Sequence, residues 1–264
     1  MSTNISPYLV DIAIIVFGGV IGSFLNVCIY RLPREKSIVK PSSSCPSCEK
    51  PIMFYDNIPI ISYLLLKGRC RQCGAHISIR YPMVELITAF LFFMLFKKYG
   101  ISLELFVGML FVSLLIAISF IDLDFRIIPD VLSIGGLIIG FVLAFFRKPF
   151  FFYMDALYGI FLGGGILFVI AYGYELLRKR EGMGGGDIKL LGMIGAFCGI
   201  KGVIFSLMSG SLLGTMIGIP MMFIKGEDAK YAIPFGPFLS AGALIFIFLG
   251  DRIIYGFFSL IAGK

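Results

Sequence analysis

Long apolar stretches alternate with short polar ones along the whole chain. Runs that approach or exceed the roughly 20 residues a helix needs to cross a bilayer core recur throughout. They predict eight membrane helices, at 8–30, 82–97, 102–121, 129–146, 154–177, 188–200, 202–224 and 233–254. The sixth is the shortest, confined between Asp187 and Lys201. The bilayer core offers no water to backbone amides, so these runs read as helices, and the expected fold is an all-α polytopic membrane protein. The one long polar interruption divides the chain into a first transmembrane helix (1–30), a loop domain (31–81) and a membrane bundle (82–264). The first run lacks a basic leader and is too long for a signal-peptide core. It continues into Gly22-Ser23-Phe24-Leu25-Asn26 without a cleavage site, and is expected to stay as a membrane helix.

Composition agrees: 58% of the 264 residues are hydrophobic, and the mean hydropathy of +0.96 is far above that of a soluble domain. The net charge of +7 does not point to nucleic acid. Sixteen Lys and Arg fall in the segments 31–81, 122–128, 178–189 and 225–232, against seven on the alternate side. Such an asymmetry is what cytoplasmic loops accumulate, so the 31–81 loop is expected in the cytoplasm and both termini outside. Small residues at four-residue spacing, such as Gly210, Gly214 and Gly218, are expected to let helices pack closely in lipid.

The 31–81 loop carries Cys45-Pro46-Ser47-Cys48 and Cys70-Arg71-Gln72-Cys73. Two Cys-x-x-Cys knuckles at this separation have the pattern of a four-thiolate zinc site, saturated and therefore structural. Disulfides are the alternative, but a cytoplasmic loop is a reducing environment. Cys28 and Cys198 lie in apolar runs and read as packing residues.

His76 is the only histidine. That excludes a His-Glu-x-x-His metalloprotease, and the position of His76 in the cysteine loop leaves no imidazole base for a serine protease within the membrane. Carboxylates are the remaining acid–base groups. Asp122, Asp124, Asp130 and Asp187 fall at predicted cytoplasmic helix ends, where ionisable groups are either headgroup-facing or functional. Asp187 follows Gly184-Gly185-Gly186, a run that lets backbone and substrate approach without side chains in the way. Asp122 lies in Phe120-Ile121-Asp122-Leu123-Asp124, shortly before Pro129. Brought together, two such carboxylates share a proton, and one activates water while the other polarises a carbonyl.

The Gly184-Gly185-Gly186-Asp187 stretch resembles the Gly-x-Gly-Asp motif of membrane aspartyl proteases. Gly22-Ser23-Phe24-Leu25-Asn26-Val27, Tyr30-Arg31-Leu32-Pro33, Asp56-Asn57-Ile58-Pro59, Gly68-Arg69-Cys70, Ile79-Arg80-Tyr81-Pro82-Met83-Val84-Glu85 and Ile233-Pro234-Phe235-Gly236-Pro237 resemble, in order, the bacterial type IV prepilin peptidases. The resemblance implies an inner-membrane enzyme that cuts the basic leader from prepilins or secretion pseudopilins at the cytoplasmic boundary. Asp122 and Asp187 would be its catalytic pair, with Gly184 and Gly186 in the active-site loop and Asp124 the rival to Asp122. It also implies N-methylation of the new terminus from S-adenosylmethionine, with Gly68 and Arg69 in the methyl-donor region or, equally, in a knuckle turn. Glu85 would receive a substrate cation or cap Arg80. An ion-coupled transporter or a partner-docking scaffold are the readings from other classes. Acidic residues at the cytoplasmic edge fit a leader protease better than midplane ion sites would.

Overall fold

The computed structural model describes residues 7–147, 152–178, 184–225 and 234–261. The described residues are helical apart from turns and two isolated bridges, Ser44 with Pro51 and Arg69 with His76. In chain order the helices are α1 (Pro7–Arg31), α2 (Ile61–Leu65), α3 (Arg80–Tyr99), α4 (Leu103–Phe125), α5 (Asp130–Ala144), α6 (Phe152–Arg178), α7 (Gly185–Lys225) and α8 (Gly236–Ile261). Among the described residues, four segments are long and apolar enough to cross a membrane: Tyr8–Arg34, Leu103–Phe125, Phe152–Leu177 and Gly185–Pro220. The apolar helices Asp130–Ala144 and Gly236–Gly250 are shorter. The start expected at 233 for the last helix, with Ile233 of the Ile233-Pro234-Phe235-Gly236-Pro237 stretch, lies outside the described residues.

The chain forms two compact units, Met1–Ala117 and Ile118–Lys264. In the first, α1 packs along α3 through Gly18 and Gly22. A Cβ at either position would lie 2.6 Å from a backbone Cα of α3, at Ala89 and Glu85 respectively, so only hydrogen lets the backbones meet. Lys97 pairs with Asp11 at 2.7 Å at one end of this helix pair. At the other, Asn26 Nδ2 donates to the Tyr81 carbonyl at 3.0 Å.

In the second unit the first arm of α7 lies between α5 and α6. Its contacts run Gly186 on Ile128, Gly192 on Leu137 and Phe197 on Gly140 along α5 and the turn before it, and Leu191 on Gly163 and Gly195 on Gly159 along α6. The arm is thus parallel to α5 and antiparallel to α6. Gly199 breaks the helix at φ 66°, ψ −168°, within the helix predicted at 188–200 and two residues before the gap predicted at Lys201. A broken helix leaves backbone groups without partners. Here Asp155 Oδ1 accepts from Ile200 N–H at 3.3 Å, and Arg147 donates to the Phe197 carbonyl at 2.5 Å. The second arm then meets α8 in reverse order, Gly202 against Phe246, Ser206 against Gly242 and Gly210 against Phe238. That order returns the chain toward the end where α7 and α8 both begin.

Candidate active site and metal centre

The hydrophobic pattern ends the third predicted helix at residue 121, but α4 continues to Phe125. Arg126 closes it in the left-handed region at φ 56°, its N–H donating to the Asp122 carbonyl at 2.9 Å. The extension decides how the two neighbouring carboxylates point. Helical residues advance by about 100° each, so positions two apart face nearly opposite ways. Asp122 is accordingly buried, only 5% exposed, whereas Asp124 is exposed.

Asp122 Oδ2 accepts a hydrogen bond from Gly236 N–H at 3.0 Å. Gly236 is the first residue of α8, so this donor is one of the helix's unpaired N-terminal amides, and the helix dipole adds to its pull on a carboxylate. The contact requires glycine, since a Cβ there would fall 2.7 Å from Asp122 Oδ2 and 3.2 Å from Ile128 Cδ1.

Asp187 occupies the first turn of α7, with its N–H on the Gly184 carbonyl at 3.2 Å. Gly186 is pressed onto Ile128, whose Cβ would be 2.9 Å from an added side chain. Ile128 therefore touches both the glycine run and the start of α8. Asp187 lies within electrostatic reach of Asp122, and around Gly185 a Cβ would meet nothing within 4 Å. Beside the two carboxylates, Lys189 pairs with Asp130 at 2.6 Å and ties the start of α7 to the start of α5. Sequence reasoning singled out neither Ile128 nor the Lys189–Asp130 pair. Their only signal is position, one just before Pro129 and the other flanking Pro129 and Asp187.

In the first unit, Cys45, Cys48, Cys70 and Cys73 bring their four sulfur atoms within 4.8 Å of one another. Cys45 Sγ and Cys73 Sγ are 3.8 Å apart. Thiolates about 2.3 Å from a tetrahedral zinc would sit at roughly that separation. The knuckles repeat one design. Cys45 N–H donates to Lys50 O and Glu49 N–H to Cys45 O, while Cys70 N–H donates to Ala75 O and Gly74 N–H to Cys70 O. The fourth residue after each leading cysteine is left-handed, Glu49 at φ 57° and Gly74 at φ 70°. All four thiols are free rather than disulfide-linked. The backbone N–H groups of Cys73 and Gln72 hold the Cys70 thiol down to about 6, favouring the thiolate that a metal needs. His76 is exposed and stands outside the cluster. Arg71, within the second knuckle, grips Asp56 through Nε and Nη2 at 2.8 and 2.7 Å, and holds its carboxyl below the usual carboxylate range.

Gly68 is at φ 67° with Tyr63 against it, and its carbonyl accepts from Ile77 N–H at 2.8 Å. Arg69 bridges to His76. Both residues are thus part of the second knuckle's base. Glu85, 7% exposed, accepts Ile60 N–H at 2.7 Å and a hydrogen bond from Ser23 rather than capping Arg80.

Helices of this length and apolarity describe a membrane protein that brings two carboxylates within electrostatic reach and carries a loop whose four thiols could hold a metal ion. Residues 16–99 match the Bacterial Peptidase A24 N-terminal domain and residues 109–219 the Type IV leader peptidase family. A prepilin leader peptidase/N-methyltransferase of Aeromonas salmonicida is 34% identical over 97% of this chain and 96% of its own length. One from Neisseria gonorrhoeae is 34% identical over 94% of this chain and 93% of its own. One from Myxococcus xanthus is 40% identical over 83% of this chain, and the match spans 65% of that relative's length. The chain belongs to the type IV leader peptidase family. No solved structure matches it.

Proposed function

We propose that this protein removes the leader peptide from type IV prepilins or pseudopilins and methylates the amine that the cut exposes. The observation that carries the first half is the approach of Asp187 to a buried Asp122 already held by the N-terminal amide of α8. Carboxylates so placed do not both ionise cheaply. One takes a proton from the attacking water while the other, protonated, donates to the scissile carbonyl, and their titration belongs to the pair. Gly184 keeps the approach to Asp187 free of a side chain, and Gly186 lets the start of α7 close onto Ile128. The names of the relatives support the second half.

The chain crosses the inner membrane eight times, with the two arms of α7 counted separately. The basic 31–81 segment and the helix ends carrying the aspartates face the cytoplasm, and both termini lie outside. That sidedness rests on the distribution of Lys and Arg. The four cysteines hold a structural zinc ion that closes the 31–81 domain between the first helix and the 82–264 bundle. S-adenosylmethionine supplies the methyl group, and lipid surrounds the apolar helix faces. A transporter is disfavoured because the carboxylates lie at helix ends.

Purified protein in lipid is expected to release the leader from a matching prepilin, and to transfer label from radiolabelled S-adenosylmethionine to the shortened product. Cleavage without label would remove the methyl-transfer half and leave the peptidase. Replacing Gly236 probes the site's packing more finely. A Gly236→Ala methyl must displace the Asp122 carboxylate or Ile128, an overpacking worth roughly 1–3 kcal/mol. Cleavage is expected to slow about 10- to 100-fold with metal content unchanged. An unaltered rate would mean that the Gly236–Asp122 contact is not part of the catalytic arrangement.

A further inference from the structure

Between the two cysteine knuckles, the stretch from Ile58 to Leu66 holds α2 and contains no Asp, Glu, Lys, Arg or His. Its polarity is inside out for a helix that faces water. Ser62 is the buried residue, its hydroxyl donating to the Tyr55 carbonyl at 2.9 Å and accepting from Ile58 N–H at 3.1 Å. Ile58, Ile61, Leu64 and Leu65 fall at the spacing of one helix face, and they are 45, 54, 68 and 76% exposed. Contiguous exposed apolar surface of this kind marks an interaction surface.

The same stretch reaches far down the α1–α3 pair. Pro59 packs on Gly19 of α1, where an added Cβ would lie 3.3 Å from the proline Cβ. From Asp11, paired with Lys97, to Arg31, α1 rises by roughly 30 Å, the thickness of a bilayer's hydrocarbon core. Gly19 lies roughly 18 Å short of Arg31 along that axis. Even measured from the contact of Asn26 with Tyr81 at the start of α3, Pro59 stands about 10 Å further in. Ile60 N–H beside it donates at 2.7 Å to Glu85, more than one turn into α3.

Irregular backbone at such depth is tolerated only where its polar groups are paired within the protein. The amides of Ile58, Ile60, Ile61, Ser62, Leu64 and Leu66 all have acceptors in the chain, and Pro59 has no N–H to satisfy. Ile60 stands at φ 63°, ψ −50°, outside helical geometry, and turns its amide onto α3 instead of into a backbone ladder. Such a conformation persists where the surroundings over-determine it, and the buried Glu85 carboxyl supplies the acceptor. Lys67 and Arg69 follow at once, both exposed. Long cationic side chains at the end of an apolar segment reach back toward headgroups.

We infer that residues 58–66 form a re-entrant element, which dips into the leaflet on the 31–81 side and lays the face of Ile58, Ile61, Leu64 and Leu65 against lipid acyl chains. The cysteine knuckles on either side of it are thereby tethered to the membrane surface, and the 31–81 segment is not wholly an aqueous domain. The inference rests on the proposed crossing of the membrane by α1 and α3.

The chain contains no tryptophan, so one substitution gives the full-length protein a single reporter. Leu65→Trp puts it on the proposed lipid face. Val16→Trp, at a position 59% exposed on α1, is the hydrocarbon reference, and Ser47→Trp, at an exposed position in the first knuckle, is the water reference. Each protein is placed in nanodiscs of phosphatidylcholine with and without bromine on the acyl chains. Leu65→Trp is expected to emit at shorter wavelength than Ser47→Trp and to be quenched by bromine to an extent comparable with Val16→Trp. Leu64→Trp, on the same face, gives the reading again should Leu65→Trp fold poorly, as thermal unfolding would report. Water-like emission without quenching at both positions overturns the inference. So does short-wavelength emission without quenching, which would place the face against protein. If Val16→Trp is also unquenched, the membrane placement of α1 fails as well. If Val16→Trp is quenched and the other two are not, only the re-entrant element fails.

Discussion

Asp187→Asn is expected to lower prepilin cleavage by about 10²- to 10⁴-fold, the range that one positioned acid–base group contributes. Asparagine keeps the shape of the carboxylate and leaves the Asp187 amide on the Gly184 carbonyl, so the first turn of α7 should persist. What it removes is the second titrating group. On the proposed mechanism, Asp122 would then lose the partner carboxylate and would be left either to activate water or to donate, but not both. The same loss is expected from Asp122→Asn, where the amide oxygen can still accept Gly236 N–H. Groups acting as a unit are strongly non-additive. The double variant should therefore be scarcely slower than either single one, and single-turnover rates on the three proteins would check it. Losses that multiplied in the double variant would mean two independent contributions rather than a pair.

Removal of the metal is the second large effect. Cys45→Ser or Cys70→Ser leaves three thiolates for the proposed zinc, and a strong chelator withdraws the ion and leaves all four thiols without it. The 31–81 domain has little apolar core of its own: Cys45, Ser62 and Gly68 are its buried residues among those described. Its order rests on the knuckle hydrogen bonds, the Asp56–Arg71 pair and the cluster. Structural zinc contributes apparent binding energies on the order of 10 kcal/mol to small domains, and these are folding energies. Elemental analysis should find about one zinc per chain in the intact protein and none in the variants. Limited proteolysis should then cut within 36–79 far faster. A full complement of zinc in Cys70→Ser, or unchanged protection after chelation, would show that the thiols do not hold the domain together.

How much of this was legible in the residues differs by element. The thiol cluster could be read because knuckle spacing is local: each pair of cysteines is set by one turn. The division of α7 was also legible, because the apolar run is interrupted at Lys201 and Gly199 supplies a backbone conformation that other residues resist. The end of α4 was not. Leu123 and Phe125 continue the apolar pattern past two aspartates, and hydropathy alone placed the end at 121. That error hid what helical phase makes plain, that Asp122 and Asp124 point opposite ways. The junction at Ile128 was illegible for another reason. It joins residues 122, 186 and 236, and the pattern of a single helix holds no signal for contacts over such separations. The same holds for the carboxylate of Glu85 on the amide of Ile60, which no periodicity announces.

The choice between Asp122 and Asp124 goes to the centre of the account, and cleavage of a matching prepilin by Asp122→Asn and Asp124→Asn proteins, side by side, decides it. Equal zinc content and thermal unfolding would establish that both are folded. The burial of Asp122 beside Gly236 and Asp187 predicts that Asp122→Asn is inactive, while Asp124→Asn cleaves within a few-fold of the unsubstituted rate. An active Asp122→Asn protein, with Asp124→Asn inactive, would contradict it and move the acid–base pair to the exposed face of α4.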